Sequence, residues 1–169
     1  MKSDKELGLR FNQIIEQHSG ILFKVARTYC LDEEDRKDLM QEMMIQAWKS
    51  LHKYDDNFAI TTWLYRISLN VAISFYRKNA TRQKSNIPLF NELTSIHDEI
   101  SNEQQEQLHQ LEVFISELND LDKALMLLYF EDKSHAEISE IMGLSVSNIG
   151  TKLGRVKEKL KKRFSQIRL

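Results

Sequence analysis

Residues that make turns are scarce in this chain. Among 169 residues there is one proline, Pro88, and only five glycines. A sheet needs a turn for nearly every strand, and tight turns draw on Gly, Pro and Asn. A chain this poor in Gly and Pro is predicted to be mostly helical. Hydrophobic residues make up 41% and charged residues 29%, an ordinary globular balance. The length allows one domain or two small ones.

Apolar spacing supports the helical prediction. Leu7, Phe11, Ile14 and Ile15, then Leu22, Phe23, Val25 and Ala26, fit an amphipathic helix with a break near Ser19 and Gly20. In LDEEDRKDLMQEMMIQAWKSL, Asp32 is placed to cap a second helix, and Glu33, Glu34 and Asp35 suit its positive end. Leu39, Met43, Ala47 and Leu51 then repeat every four residues, with Met40, Met44 and Trp48 as a second row. After the polar break HKYDDNFAITT, Leu64, Ile67, Val71 and Phe75 form the expected core row of another helix, with Trp63, Arg66, Asn70, Ser74 and Arg77 opposite. These helices make one small bundle over 1–84. Residues 85–107 contain the proline and little periodicity, and are expected to be an acidic linker. Leu108, Leu111, Ile115, Leu118, Leu121, Leu125, Leu128 and Tyr129 then begin a second helical unit over 108–169. The expected fold is all-α, two small helical domains joined by that linker.

A net charge of −1 conceals a block pattern. Residues 76–84 carry four basic side chains and no acidic one, and 85–122 carry nine acidic and no Lys or Arg. Residues 145–169 carry eight basic side chains against Glu158 alone. Two anion-binding surfaces separated by an acidic strap fit that pattern. Cys30 is the single cysteine, so an intrachain disulfide and a thiolate zinc cluster are excluded. The five histidines are scattered without ligand-like spacing, and no metal or other cofactor is expected. Paired carboxylates, phosphate-cradling Gly-rich loops and nucleophile–base pairs do not stand out, so no catalysis is expected. The opening MKSDKELGLRFNQ is too polar for a signal peptide and no apolar run reaches membrane-spanning length. A cytoplasmic location without membrane insertion is expected.

The C-terminal stretch SHAEISEIMGLSVSNIGTKLGRVKEKLKK follows helix-turn-helix grammar. Ser134 and Glu137 have capping-box spacing. Ile138, Ile141 and Met142 face inward, Gly143 suits a left-handed helix exit, Leu144 plugs the corner and Ser145 can cap the next helix. Ser139 is small where the two helices approach. Val146, Ile149, Leu153, Val156 and Leu160 give the second helix an apolar face. Its open side presents Ser147, Asn148, Thr151, Lys152 and Arg155, types that reach base edges and phosphates in a major groove. Lys157, Lys159, Lys161, Lys162 and Arg163 extend the charge. A hairpin whose cations merely complement a helix C-terminus needs fewer of them. Gly150 and Gly154 each cost about 1 kcal/mol inside a helix relative to alanine. Close approach to DNA or to a neighbouring helix can offset that, and the sequence leaves both open.

The first bundle carries its own basic and aromatic set. Tyr54, Phe58, Trp63, Tyr65, Phe75 and Tyr76 stand among Arg66, Arg77, Lys78, Arg82 and Lys84. Aromatics interleaved with cations suit single-stranded nucleic acid, where bases stack and cations hold phosphates. Phe75 is expected in the core, whereas Trp63 suits packing and base contact equally.

DLMQEMMIQAW, TTWLYRISLNVAISFYRK and HAEISEIMGLSVSNIGTKLGRVKEKL, in that order, cover much of the chain. Together they resemble the bacterial RNA polymerase sigma factors of the extracytoplasmic-function type. The resemblance implies a non-catalytic initiation factor whose partners are core RNA polymerase and promoter DNA, both duplex and melted strand. An anti-sigma factor is a further partner it implies. Asp38, Gln41, Glu42 and Trp48 resemble the polymerase-docking helix, with Trp48 on its packing side. The loop with Tyr54, Asp56, Asn57 and Phe58, followed by Trp63, Arg66, Asn70, Arg77 and Lys78, resembles the −10 reader that captures an extruded base. Ser147, Asn148, Thr151, Lys152, Arg155 and Lys157 resemble the −35 duplex reader. The acidic linker resembles the segment that threads towards the polymerase cleft. Ser74, Lys78 and Lys152 depart from common family residues, and LNDLDK replaces a frequent Pro-containing start of the second unit. Those departures bear on promoter preference. A free-standing operator-binding regulator would not need DLMQEMMIQAW, and a pure interaction module would not need a basic block at the end of each domain.

Overall fold

The computed structural model describes residues 3–79 and 101–167. Among these residues all regular structure is helical: α1 (Asp4–Tyr29), α2 (Glu33–Ser50), a 3-10 turn (Leu51–Lys53), α3 (Ile60–Asn79), α4 (Asn102–Glu117), α5 (Asp120–Phe130), α6 (His135–Met142) and α7 (Val146–Ile167). Two compact units divide the chain, with α1–α3 in the first and α4, α5, α7 and the start of α6 in the second. Arg82, Lys84, Pro88 and most of the expected acidic linker lie outside the described residues.

In the first unit each of the three helices packs on the other two. Helix α1 is capped by a reciprocal Ser3–Glu6 box and kinks at His18 (φ −127°, ψ 16°), beside the expected break. Beyond the kink it buries Leu22, Val25, Ala26 and Tyr29; before it, only Ile14 is buried. Asp32 caps α2 by accepting from the Asp35 amide at 3.0 Å. The row Leu39, Met43, Ala47 and Leu51 is buried, as its spacing requires.

The α3 core row differs from expectation. Leu64, Tyr65, Ser68, Leu69 and Ala72 are buried, whereas Ile67, Val71 and Phe75 are half-buried. Small residues at the middle of the contact let helices come close. Ser68 and Ala72 do this on α3, opposite a bundle that also buries Ala26 and Ala47. The bulkier residues then flank the seam.

The second unit also differs in detail. One of its clusters is Phe114, Leu118, Met126 and Val156, with Ile115 and Leu160 against it. Of the residues named for this unit, Leu108, Leu121 and Tyr129 are exposed, and Phe114 is the buried residue of α4. Helix α4 also begins within the segment expected to be linker. Ser101 and Gln104 form a capping box there, so residues 102–107 are helical.

Candidate nucleic-acid interface

The turn between α6 and α7 is fixed by its own backbone groups. The Ser134 amide donates to a Glu137 carboxylate oxygen at 2.7 Å and the Glu137 amide to Ser134 Oγ at 3.1 Å. That backbone hydrogen bond, with the Ser134 hydroxyl second, holds the Glu137 carboxyl below its ordinary range. Gly143 takes the left-handed conformation, φ +69°. The Ser139 hydroxyl donates to the Leu144 carbonyl, pinning the corner. The Asn148 amide donates to Ser145 Oγ at 3.1 Å, which starts α7.

Helix α7 buries Ile149, Leu153 and Val156, while Val146, expected on the same face, is exposed at the helix start. Ser147, Asn148, Thr151 and Arg155 are exposed together on the opposite side, and Lys152 is half-buried at the edge. The Thr151 hydroxyl donates to the Ser147 carbonyl at 3.1 Å, so its proton is committed to its own helix while its oxygen can still accept. Lys157 stands apart from this group. Two residues past Arg155 it turns to the flank, and its ammonium lies 4.0 Å from the centroid of the Tyr129 ring on α5. Arg163 is likewise committed to structure, forming a two-point ion pair with Glu117 of α4. The cation run is therefore only partly available to phosphates.

The first unit builds a different surface. A turn closed by the Phe58 amide on the Asp55 carbonyl at 3.2 Å, with the Asn57 amide on Asp55 Oδ1 at 3.0 Å, shapes the loop before α3. The Tyr54 hydroxyl donates to the Phe58 carbonyl across it. Burial holds the Tyr54 phenol above its ordinary pKa, with the Asp56 charge adding to that, so it remains a donor. The Tyr54 ring meets Trp63 at 5.3 Å between centroids, tilted 55°. Trp63 is half-buried, and so makes packing contact while keeping an open edge.

Phe58 is 40% exposed, with the Arg66 guanidinium 5.9 Å from its ring centroid. Asp56, Asn57, Asn70, Arg77 and Lys78 are exposed along the same loop and helix. Two of the aromatics named with this set belong to the packing instead. Tyr65 is buried, and Tyr76 meets Tyr29 edge-on at 5.9 Å.

On α2, Asp38, Gln41 and Glu42 are exposed, with Glu42 accepting from the Gln46 amide at 2.8 Å. Trp48 is 44% exposed and its ring packs edge-on against Phe11 at 5.4 Å. Two residues escaped the reading of the sequence. Ile45, 46% exposed, sits between the polar residues of α2; its offset of four from Gln41 was the available signal. Arg10 of α1 reaches Asp56 at 2.6 Å and lies 5.2 Å from the Tyr54 ring centroid. The two partners are 46 residues apart, and no local pattern announces the contact.

Among the described residues, no group of three or more His, Cys, Asp or Glu side chains is placed to hold a metal ion. No described helix is long and apolar enough to cross a membrane.

Two stretches of the chain match known families. Residues 14–82 match the Sigma-70 region 2 family and residues 108–160 the Sigma-70, region 4 family. The RNA polymerase sigma factor YlaC of Bacillus subtilis is 30% identical over 162 residues, which cover 94% of this chain and 91% of that protein. The ECF RNA polymerase sigma factor SigM of the same organism is 26% identical over 165 residues, covering 94% and 97%. The fold matches that of CnrH solved with the cytosolic domain of CnrY, at TM-score 0.66, 22% identity, and 92% and 88% coverage. It also matches the sigma factor RpoE solved with the anti-sigma factor NepR from Bartonella quintana, at TM-score 0.69, 16% identity, and 92% and 97% coverage.

Proposed function

The chain belongs to the extracytoplasmic-function type of sigma-70 family RNA polymerase sigma factors, non-catalytic subunits that initiate transcription at specific promoters, and from that premise we propose how its residues divide the work. Residues 1–84 form the unit that docks core polymerase and holds the −10 strand, 85–107 join it to the rest, and 108–169 form the −35 reader. The exposed stripe of Asp38, Gln41, Ile45 and Glu42 on α2 makes the polymerase contact, with Trp48 bracing α2 against α1. Tyr54, Asp56, Asn57 and Phe58 form the capture loop. Trp63, Arg66, Asn70, Arg77 and Lys78 hold the strand beyond it. Ser147, Asn148, Thr151, Lys152 and Arg155 read the duplex, with Lys157 at the margin.

The observation that carries this division is the contrast in exposed aromatics. Phe58 beneath Arg66, and Trp63 against Tyr54, offer stacking surface next to cations, which an unpaired base can use and a closed duplex cannot. The exposed face of α7 offers short polar groups and an arginine with no aromatic among them, which suits base edges and phosphates in a groove.

Run-off transcription with purified bacterial core polymerase and a promoter library tests the reading. Specific transcripts that require both a −10 and a −35 element are expected. No specific transcript from any template, where a known sigma factor works, overturns it. Duplex binding by the protein alone is expected to be weak. Nanomolar sequence-specific binding without polymerase would favour a free-standing regulator.

Two of the similar structures hold a partner protein. A partner that covers the α2 stripe is the corresponding regulator here, and a pull-down from native cells in which no stoichiometric partner appears counts against it. Acting on polymerase, the protein works in the bacterial cytoplasm.

A further inference from the structure

The half of α1 before the His18 kink contributes one buried residue, Ile14, to the first unit. Leu9 in this half is 60% exposed. A segment with so little core to bury is weakly held by packing. Its side chains nonetheless make two specific contacts. Phe11 meets Trp48 at the end of α2, and Arg10 spans to the loop before α3. Arg10 also precedes residue 14, where the match to the region 2 family begins.

Arg10 makes its contacts at two points of that loop. Its Nη2 donates to Asp56 Oδ1 at 2.6 Å, and its guanidinium lies 5.2 Å from the centroid of the Tyr54 ring. Tyr54 in turn packs on Trp63 and donates its hydroxyl to the Phe58 carbonyl. One guanidinium therefore fixes the acidic tip and the aromatic floor of the same short loop. Lysine cannot reproduce this, because a planar fork both pairs with a carboxylate and lies against a ring. The Asp56 side chain is 74% exposed and that of Arg10 29%. An ion pair so open to water adds little to global stability. What it can do is restrict a loop that otherwise samples many conformations, so that a ligand meets the binding shape already formed.

We propose that Arg10 is a positioning residue for strand capture, a brace from α1 that holds the 54–58 loop in the shape that receives an unpaired base. This rests on the reading of that loop as the −10 reader. The base itself touches Phe58, Trp63 and their neighbours, and Arg10 acts through Asp56 and Tyr54. In this role Asp56 is the anchor of the loop.

The test uses holoenzyme reconstituted from core polymerase and full-length protein. Open-complex formation on a duplex promoter is followed by a fluorescent base analogue in the −10 non-template strand. The initial binding constant and the isomerisation rate are separated by varying holoenzyme concentration. Arg10→Ala is expected to slow isomerisation about tenfold, the scale of a lost preorganisation. Initial promoter binding, affinity for core polymerase and the thermal midpoint should stay at wild-type values. Arg10→Lys should recover little of the rate. The exchanged pair Arg10→Asp with Asp56→Arg should recover part of it.

An unchanged isomerisation rate in Arg10→Ala overturns the brace. So does an equal loss of core affinity, which would make α1 part of the docking surface. So does a lowered thermal midpoint accompanied by loss of every activity. Phe58→Ala and Trp63→Ala run in parallel separate the two levels. If they slow isomerisation and Arg10→Ala does not, only the brace fails. If they too leave it unchanged, the assignment of the −10 reader fails with it.

Discussion

The two surfaces proposed to meet nucleic acid are held in place by different chemistry. At the corner between α6 and α7 the fixing hydrogen bonds are short in sequence. Ser134 meets Glu137, Ser139 meets Leu144, Ser145 meets Asn148, and Gly143 turns the chain. The backbone itself sets the angle of the reading helix. Before α3 the loop has a local turn, but its shape also depends on Tyr54 against Trp63, Arg66 over Phe58 and Arg10 from another helix. A duplex groove has a regular shape and is met well by a rigid helix. An unpaired strand has to be received by pockets and stacking surfaces, which a loop built from side chains supplies. On the proposed division of labour, the duplex reader should fail through its fold and the strand reader through its dynamics.

The largest effect should come from cutting the core under each surface. Leu153 and Leu64 are both buried, with 1% or less of their surface exposed. Leu153→Ala and Leu64→Ala should each cost about 2–5 kcal/mol. Both tryptophans, Trp48 and Trp63, lie in the first unit. In urea titrations Leu64→Ala should therefore shift the tryptophan fluorescence transition. Leu153→Ala should shift the helical circular dichroism signal and leave tryptophan fluorescence in place. If both probes move together for Leu153→Ala, the two units unfold as one.

Next in size is the double change Lys152→Ala with Arg155→Ala. Each good base contact is worth about 1–3 kcal/mol of discrimination. Transcription from a −35-dependent promoter should thus fall by at least about tenfold. Binding to core polymerase, measured by gel filtration or fluorescence anisotropy, should be unchanged. An equal fall in polymerase binding would show that α7 serves docking as well as DNA.

These two surfaces were also unequally legible in the sequence. The Ser134–Glu137 box, the Gly143 corner and the Ser145 cap all follow from residues within a few positions of one another, and the structure has each of them. The Leu39, Met43, Ala47 and Leu51 row was equally plain, because a period of four names a helix face directly. The α3 row was displaced because hydrophobicity alone ranks Ile67 and Val71 above Ser68 and Ala72. Close helix packing reverses that order. Tyr65 and Tyr76 looked like part of the aromatic reader because composition cannot say on which side of a helix a neighbour sits. Arg10 was invisible for a stronger reason. Its partners are set by tertiary folding, and nothing near residue 10 encodes residue 56. Lys157 and Arg163 looked like free cations until Tyr129 and Glu117 were placed beside them.

Smaller changes probe the backbone grammar itself. Gly143 has φ +69°, and a Cβ built there meets nothing within 4 Å. Gly143→Ala should therefore cost only the left-handed conformation, about 1–2 kcal/mol, seen as a lowered midpoint of the second unit.

The Glu137 cap adds a pH signature. Its carboxyl is held below the ordinary value by the Ser134 amide. A group depressed on folding contributes fully above its unfolded pKa, about 4.3 for glutamate. That contribution is lost as pH falls through the lower folded value. Glu137→Gln, which can keep the reciprocal bond without the charge, should flatten the acid side of the stability profile below about pH 4.3. An unchanged profile would mean the cap holds the turn by shape alone.

The smallest expected effects concern the two glycines inside α7, and they separate the fold of the duplex reader from its contact with DNA. A Cβ on Gly150 would lie 3.7 Å from the His135 imidazole, ordinary packing distance, and one on Gly154 would meet nothing. Neither glycine is required by its neighbours in the chain. Gly150→Ala and Gly154→Ala should each stabilise the second unit by up to about 1 kcal/mol. Their effects on DNA should diverge. Gly150 faces His135 of α6, so its methyl stays within the protein. Gly154 follows Ser147 and Thr151 at helical spacing on the exposed side, so its methyl projects from the face proposed to meet the duplex. Gly154→Ala is thus expected to raise the thermal midpoint and weaken −35-dependent transcription, while Gly150→Ala raises the midpoint alone. If Gly154→Ala improves both, α7 does not bring that face to the groove, and the reading side must be rotated towards Lys152.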